Sequence, residues 1–178
     1  MLRHLTIKNY ALIEHLEMEL TGHLNVITGE TGAGKSIMLG AMGLLLGNRA
    51  DTKVLWNEKE KCITEGTFDI GAYQLQSLFE NENLDYDDQT VIRREISPGG
   101  KSRAFINDTP VTLDIMKKIG SRLMDIHSQH DTLDLGNRSF QLQVIDAFAV
   151  NEKQRDEYKS AWQHYVITRE AYQALEDE

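Results

Sequence analysis

The chain has 178 residues, 40% of them apolar and 26% charged, and its 28 acidic against 19 basic residues leave a net charge of -9. That length suits one sizeable domain or a lobe of a larger one, and the acidic balance argues against a surface devoted wholly to nucleic acid. The single cysteine, Cys62, rules out an internal disulfide, and no apolar run is long enough to cross a bilayer, so the expected setting is a reducing cytoplasm.

In chain order, Leu5 and Ile7 alternate with polar neighbours, as do Leu16, Met18 and Leu20, which predicts two opening strands. A third strand, Leu24 to Thr28, is expected to feed a glycine-rich loop. Lys35 to Leu46 is apolar nearly all round, as in a buried helix, and Gly47-Asn48 supplies its stop. Cys62 to Ile70, Thr90 to Ile96 and Arg103 to Asn107 alternate with period two between turn-rich stretches, predicting an antiparallel meander beside the P-loop layer. Between them, "GAYQLQSLFENENLDYDD" reads as a short helix and an acidic loop. Thr112 is placed to cap a helix whose inner face carries Leu113, Met116 and Ile119, with Gly120 at its end. "RLMDIHSQHD" reads as a strand running into a polar loop. From Ser139 onward the sequence is helical, with Tyr158, Trp162, Tyr165, Arg169 and Tyr172 spaced by fours and threes. Two readings stand for that stripe: a coiled-coil seam, or an amphipathic helix packed on its own domain. The chain ends on "EDE" without a helix stop signal, as a cut helix would.

"GETGAGKS", Gly29 to Ser36, completes the pattern G-x-x-x-x-G-K-[ST] between a predicted strand and a predicted helix. Gly29, Glu30, Thr31, Gly32, Ala33 and Gly34 would aim backbone N-H groups at the phosphates of ATP, aided by the helix dipole. Lys35 would set its charge against the β- and γ-phosphates, and Ser36 would offer a hydroxyl to Mg²⁺. A chance glycine-rich turn is the alternative, disfavoured by the flanking elements. The water-activating acid is harder to find: before Asp125 the apolar run of Leu123 and Met124 is too short for an acidic strand, and no other window is better. In the same segment Gln129 could reach Mg²⁺ or the attacking water. His127 and His130 with Asp125 and Asp131 could instead ligate a metal, or the stretch could be a plain loop. Arg93, Arg94, Lys101 and Arg103 form a basic patch, suited either to DNA phosphates or to a charge-protected strand edge. Arg49 has the same two readings.

"LRHLTIKNYALIEHLEMEL", "VITGETGAGKSIMLGAMGLLLGNRAD", "KSRAFINDTPVTL" and "LMDIHSQHD", four motifs in order, together resemble the N-terminal part of the RecN family, bacterial DNA repair proteins of the SMC-like ATPase group. The resemblance runs from the start to about Phe148. It implies an α/β fold, the N-terminal lobe of an ABC-type ATPase head, over residues 1–148, and the root of a coiled coil over 149–178. It also implies that Gly29 to Ser36 bind the phosphates of ATP, that Lys35 takes part in catalysis, and that Ser36 and Gln129 stand at Mg²⁺. Arg3 and Asn9 would border the base or ribose, and Arg49 matches a basic residue that follows the P-loop helix. The implied partners are the C-terminal half of the same protein, which carries the signature motif and the acidic strand, a second copy engaged through the heads, and DNA. The implied setting is the bacterial cytoplasm at the nucleoid. A fragment of this kind would bind ATP and hydrolyse little. Two other functions remain at this point, a small-molecule P-loop kinase and a non-catalytic, nucleotide-responsive dimerisation module.

Overall fold

A computed structural model describes residues 1–30, 34–50, 54–126 and 138–176. Two compact units divide the chain, Met1–Ser128 and Gln129–Glu178.

The first unit is built on one six-stranded antiparallel sheet. Its strands are β1 (Leu2–Tyr10), β2 (Ile13–Glu19), β3 (Cys62–Asp69), β4 (Gln89–Ile96), β5 (Ser102–Ile106) and β6 (Thr109–Val111), in the order β2-β1-β3-β4-β5-β6. The opening strands are therefore continuous with the meander rather than a separate layer, because β1 pairs with β2 on one side and β3 on the other. Alternation decides which face is covered. Leu5 and Ile7 of β1, Phe68 of β3, Ile92 and Ile96 of β4 and Ile106 of β5 are all buried. Each such side chain contributes about 1.5–3 kcal/mol by leaving water.

Helix α1 (Lys35–Leu45) contributes Ala41 and Leu45 to this core, and α3 (Leu113–Leu123) contributes Met116 and Ile119. The short α2 (Gln76–Asn81) buries Phe79. Thr112 caps α3 as the sequence suggests, its side chain accepting from the Ile115 N-H at 3.3 Å. The helix does not stop at Gly120, however; it continues to Leu123, and Gly120 is buried where α3 meets the end of α1. A Cβ at 120 would lie 2.9 Å from the Leu45 carbonyl oxygen, so only glycine allows this approach. Gly47 turns the chain out of α1 with φ +79°, a left-handed conformation that glycine adopts without strain.

Two expected strands do not form among the described residues. Leu24 to Thr28 is not a strand, and Leu24 and Val26 are 86% and 73% exposed. A strand needs a neighbour to take its backbone hydrogen bonds, and among the described residues no strand pairs with it. Met124–Ile126 likewise follows α3 outside any strand.

The second unit holds α4 (Arg138–Ala149) and α5 (Glu152–Glu176). On α5 the rings of Tyr158 and Trp162 stack with centroids 6.4 Å apart, and Trp162 and Tyr165 lie 5.5 Å apart. All three rings are more than half exposed, so the stripe is an open seam on this helix.

Candidate nucleotide site

Gly34 stands immediately before α1 with φ 88° and ψ 0°, a left-handed turn that swings the chain from the loop into the helix. No side chain caps α1, and its first turn holds no acidic residue. Its leading N-H groups and the positive end of its dipole are thus left for an external anion. Lys35 is half-buried, and its ammonium donates to the carbonyl oxygens of Gly29 and, at 2.7 Å, Glu30. The loop's own backbone thereby holds the charge that a phosphate would claim. Ser36 follows on the first turn, exposed.

Beside this loop opens a cleft of about 470 Å³. Its lining includes Thr28, Gly34 and Lys35 from the phosphate side, and Leu12, Ile13, Glu14, His15, Leu16, Met18, Ile27 and Met38 beyond them. Leu16 and Met18 stand opposite Ile7 and Leu5 in the β1–β2 register, on the sheet face that α1 covers. A cationic end with free helix N-H groups and a mainly apolar remainder, interrupted by Glu14 and His15, could take a nucleoside triphosphate: phosphates on the loop, Mg²⁺ at the Ser36 hydroxyl, and the base against the hydrophobic wall. The sequence singled out the loop and not the apolar wall beside it. Its signal was present in the alternation of β2, which also reads as ordinary core.

The other sequence-derived residues separate. Thr31, Gly32, Ala33 and Gln129 lie outside the described residues, as do His127, His130 and Asp131. Among the described residues no group of three or more His, Cys, Asp or Glu side chains could hold a metal. Arg3 does not line the cleft; it pairs with Asp69 at 2.8 Å. That guanidinium, as hydrogen-bond donor, holds the Asp69 carboxyl below its ordinary range. Asn9 does not line the cleft either. It is 5% exposed, with φ 54°, and its Nδ2 donates to the carbonyls of Asn57 at 3.0 Å and Glu60 at 2.9 Å. Its Oδ1 accepts from the Asn57 N-H at 2.6 Å. Both residues thus have structural partners, which for Asn9 account for every side-chain polar atom.

The basic patch also dissolves. Arg93 is shared among Glu65, Glu95 and Asp108 at 3.0–3.6 Å and lies over the Phe105 ring. Arg94 is 1% exposed inside the lobe, where burial pulls its pKa down. Only Lys101 and Arg103 remain exposed at the β4–β5 hairpin, and Arg49 is exposed past α1.

A family described as AAA domain matches residues 4–178. The DNA repair protein RecN of Xylella fastidiosa (strain Temecula1) is 40% identical over 99% of this chain and 32% of its own length. The RecN of Bacillus subtilis (strain 168) is 37% identical over 93% of this chain and 30% of its own. The chain thus spans about a third of the length of the curated relatives it matches. Among solved structures, one from work on ATP-driven dimerization and DNA-stimulated activation of SMC ATPases superimposes with a TM-score of 0.54 at 17% identity, covering 79% of this chain and 90% of that one. The SMC head domain from Thermotoga maritima gives 0.51 at 17% identity, covering 66% and 41%. At such identities the likeness establishes the fold, that of an SMC-type ATPase head.

Proposed function

The chain belongs to the AAA domain family and matches the N-terminal region of RecN DNA repair proteins along nearly its whole length, and on that premise we propose that it is the ATP-binding half of a RecN head. In this reading Gly29 to Ser36 grip the phosphates of ATP. Lys35 leaves the Gly29 and Glu30 carbonyls for the β- and γ-phosphates, and the wall of Leu12, Leu16, Met18 and Met38 receives the base. Mg²⁺, held by Ser36 and Gln129, would supply charge neutralisation at the phosphates. Residues 1–148 form the head lobe and 149–178 open the coiled coil.

The observation that carries this reading is the joining of an uncapped α1 N-terminus, a backbone-held Lys35 and an apolar cleft within one site. A second supports the division of labour. Leu24, Val26 and Ile27 belong to no strand among the described residues and have exposed side chains, as expected of a segment whose sheet neighbours come from the other half of the protein. That half would also bring the acid that activates water. ATP held between two such heads would close them and hydrolysis reopen them, so that the full protein handles broken DNA ends in double-strand break repair and recombination. It would work in the bacterial cytoplasm at the nucleoid.

The test is direct. The chain should bind a fluorescent ATP analogue, Lys35→Ala should abolish binding, and hydrolysis should appear only when the C-terminal half is added. Robust turnover by this chain alone would overturn the reading.

A further inference from the structure

The end of β1 and the turn that follows it hold two non-glycine residues in the left-handed region, Asn9 at φ 54° and Ala11 at φ 50°. Such residues persist only where their surroundings impose the conformation. Here the surroundings are a strap formed by the segment that follows α1. The Asn9 side chain makes three hydrogen bonds to Asn57 and Glu60, and the Ala11 N-H donates to the Val54 carbonyl at 2.5 Å. The next residues, Leu12 and Ile13, form the lip of the cleft beside the phosphate loop. Leu12 is 68% exposed, so little packing of its own fixes its place.

Resting on the nucleotide-binding reading above, we propose that Asn9 is a positioning residue for the base side of the cleft. It never touches the nucleotide; it holds the β1–β2 turn so that Leu12 and Ile13 present an apolar lip to the base. Two consequences follow from the geometry. Loss of Asn9 loosens the grip on the base and leaves the grip on phosphate, because the Lys35 ammonium is held by the Gly29 and Glu30 carbonyls and not by the strap. Occupancy of the lip also reaches the Val54–Glu60 segment, which carries the exposed Trp56 beside Asn57.

The variant to use is Asn9→Gly, which removes all three side-chain bonds while accepting a positive φ without strain. Two ligands are titrated into the 178-residue chain, a fluorescent ATP analogue and inorganic tripolyphosphate. Asn9→Gly should weaken the analogue about tenfold, the size of one or two net hydrogen bonds, and leave tripolyphosphate within about twofold. In a Trp162→Phe background, where Trp56 is the remaining tryptophan, the analogue should change the emission, and Asn9→Gly should erase that change. An equal loss of both ligands, or no loss of either, overturns the inference while leaving the nucleotide reading intact. If the unmutated chain binds neither ligand, the nucleotide reading fails first. Should Asn9→Gly fold poorly, Asn9→Asp keeps the acceptor to the Asn57 N-H and loses the two donors. It should give the same split between ligands, and an unsplit loss there also overturns the inference.

Discussion

Gly120 offers a sharp test of how the lobe positions its phosphate loop. Helix propensity alone predicts that Gly120→Ala in the middle of α3 stabilises by about 1 kcal/mol. The packing predicts the opposite sign. A Cβ at 120 meets the Leu45 carbonyl oxygen at 2.9 Å, the Leu46 Cδ2 at 3.3 Å and the Leu46 Cα at 3.5 Å. Two of these three atoms are backbone, which cannot rotate away, so α1 and α3 must part. Overpacking of that kind costs about 1–3 kcal/mol, which leaves a net loss of about 1 kcal/mol for alanine after the propensity gain. At this chain length that is a fall in Tm of about 2–4 °C. Valine, with two further methyl groups on the same approach, should cost about 3 kcal/mol or more. Thermal melts and urea titrations followed by circular dichroism measure both. The contact also lies one helix away from function: α1 begins at Lys35 and ends at Leu45, so a push at its end moves the loop about 15 Å away. Affinity for an ATP analogue should therefore fall with stability. An alanine variant as stable as the unmutated chain would refute the claim that glycine sets the α1–α3 distance.

Three further outcomes follow. Burial pushes the Cys62 thiol up to about 11, so it should resist alkylation at pH 8 until the protein unfolds. Because its folded pKa is raised, its contribution to stability is complete below the ordinary thiol value of 9.0 and is lost as pH rises from there through about 11, measurable as a falling urea midpoint. Arg94→Met should be neutral or stabilising by about 1–4 kcal/mol, because Nε and Nη1 of the buried guanidinium meet no acceptor among the described residues; a loss of stability would reveal an acceptor. Thr112→Ala removes the cap on the Ile115 N-H and should lower unfolding free energy by about 1 kcal/mol, visible as a shifted midpoint with an unchanged m-value.

The sheet and its helices were legible because each alternates or repeats where it packs. Cys62 to Asp69 buries every second residue, and α3 places Met116 and Ile119 on one side. The candidate phosphate loop stood out in the sequence because phosphate binding would demand fixed residue types at fixed spacing. What the sequence concealed is relational. Arg93 and Arg94 are adjacent basic residues in the string, yet strand geometry sends them to opposite faces, one into a carboxylate network and one into the interior. Asn9 was placed beside the base or ribose by the family resemblance alone; its partners, Asn57 and Glu60, lie about fifty residues away and follow no pattern. Leu24 to Thr28 has strand composition, but composition specifies no partner, and pairing is what makes a strand.

That unpaired segment bears on why nucleotide grip and water activation would sit on different parts of a longer protein. Within the first unit the sheet face is well covered, since Leu5, Ile7, Ile92 and Ile106 are sealed under α1 and α3. Exposed apolar residues gather elsewhere: Leu24, Val26 and Ile27 before the loop, Leu142, Ile145 and Phe148 on α4, and Tyr158, Trp162 and Tyr165 on α5. Clustered exposure of this kind marks a surface that awaits a partner. On the proposed reading, the segment that would complete the sheet around the loop also brings the acid. Binding and firing are then separated by an association step, and a lobe that held both would hydrolyse ATP before any second head arrived. On that reading, an exposed apolar segment of strand composition just before the phosphate loop would be the physical form of that delay.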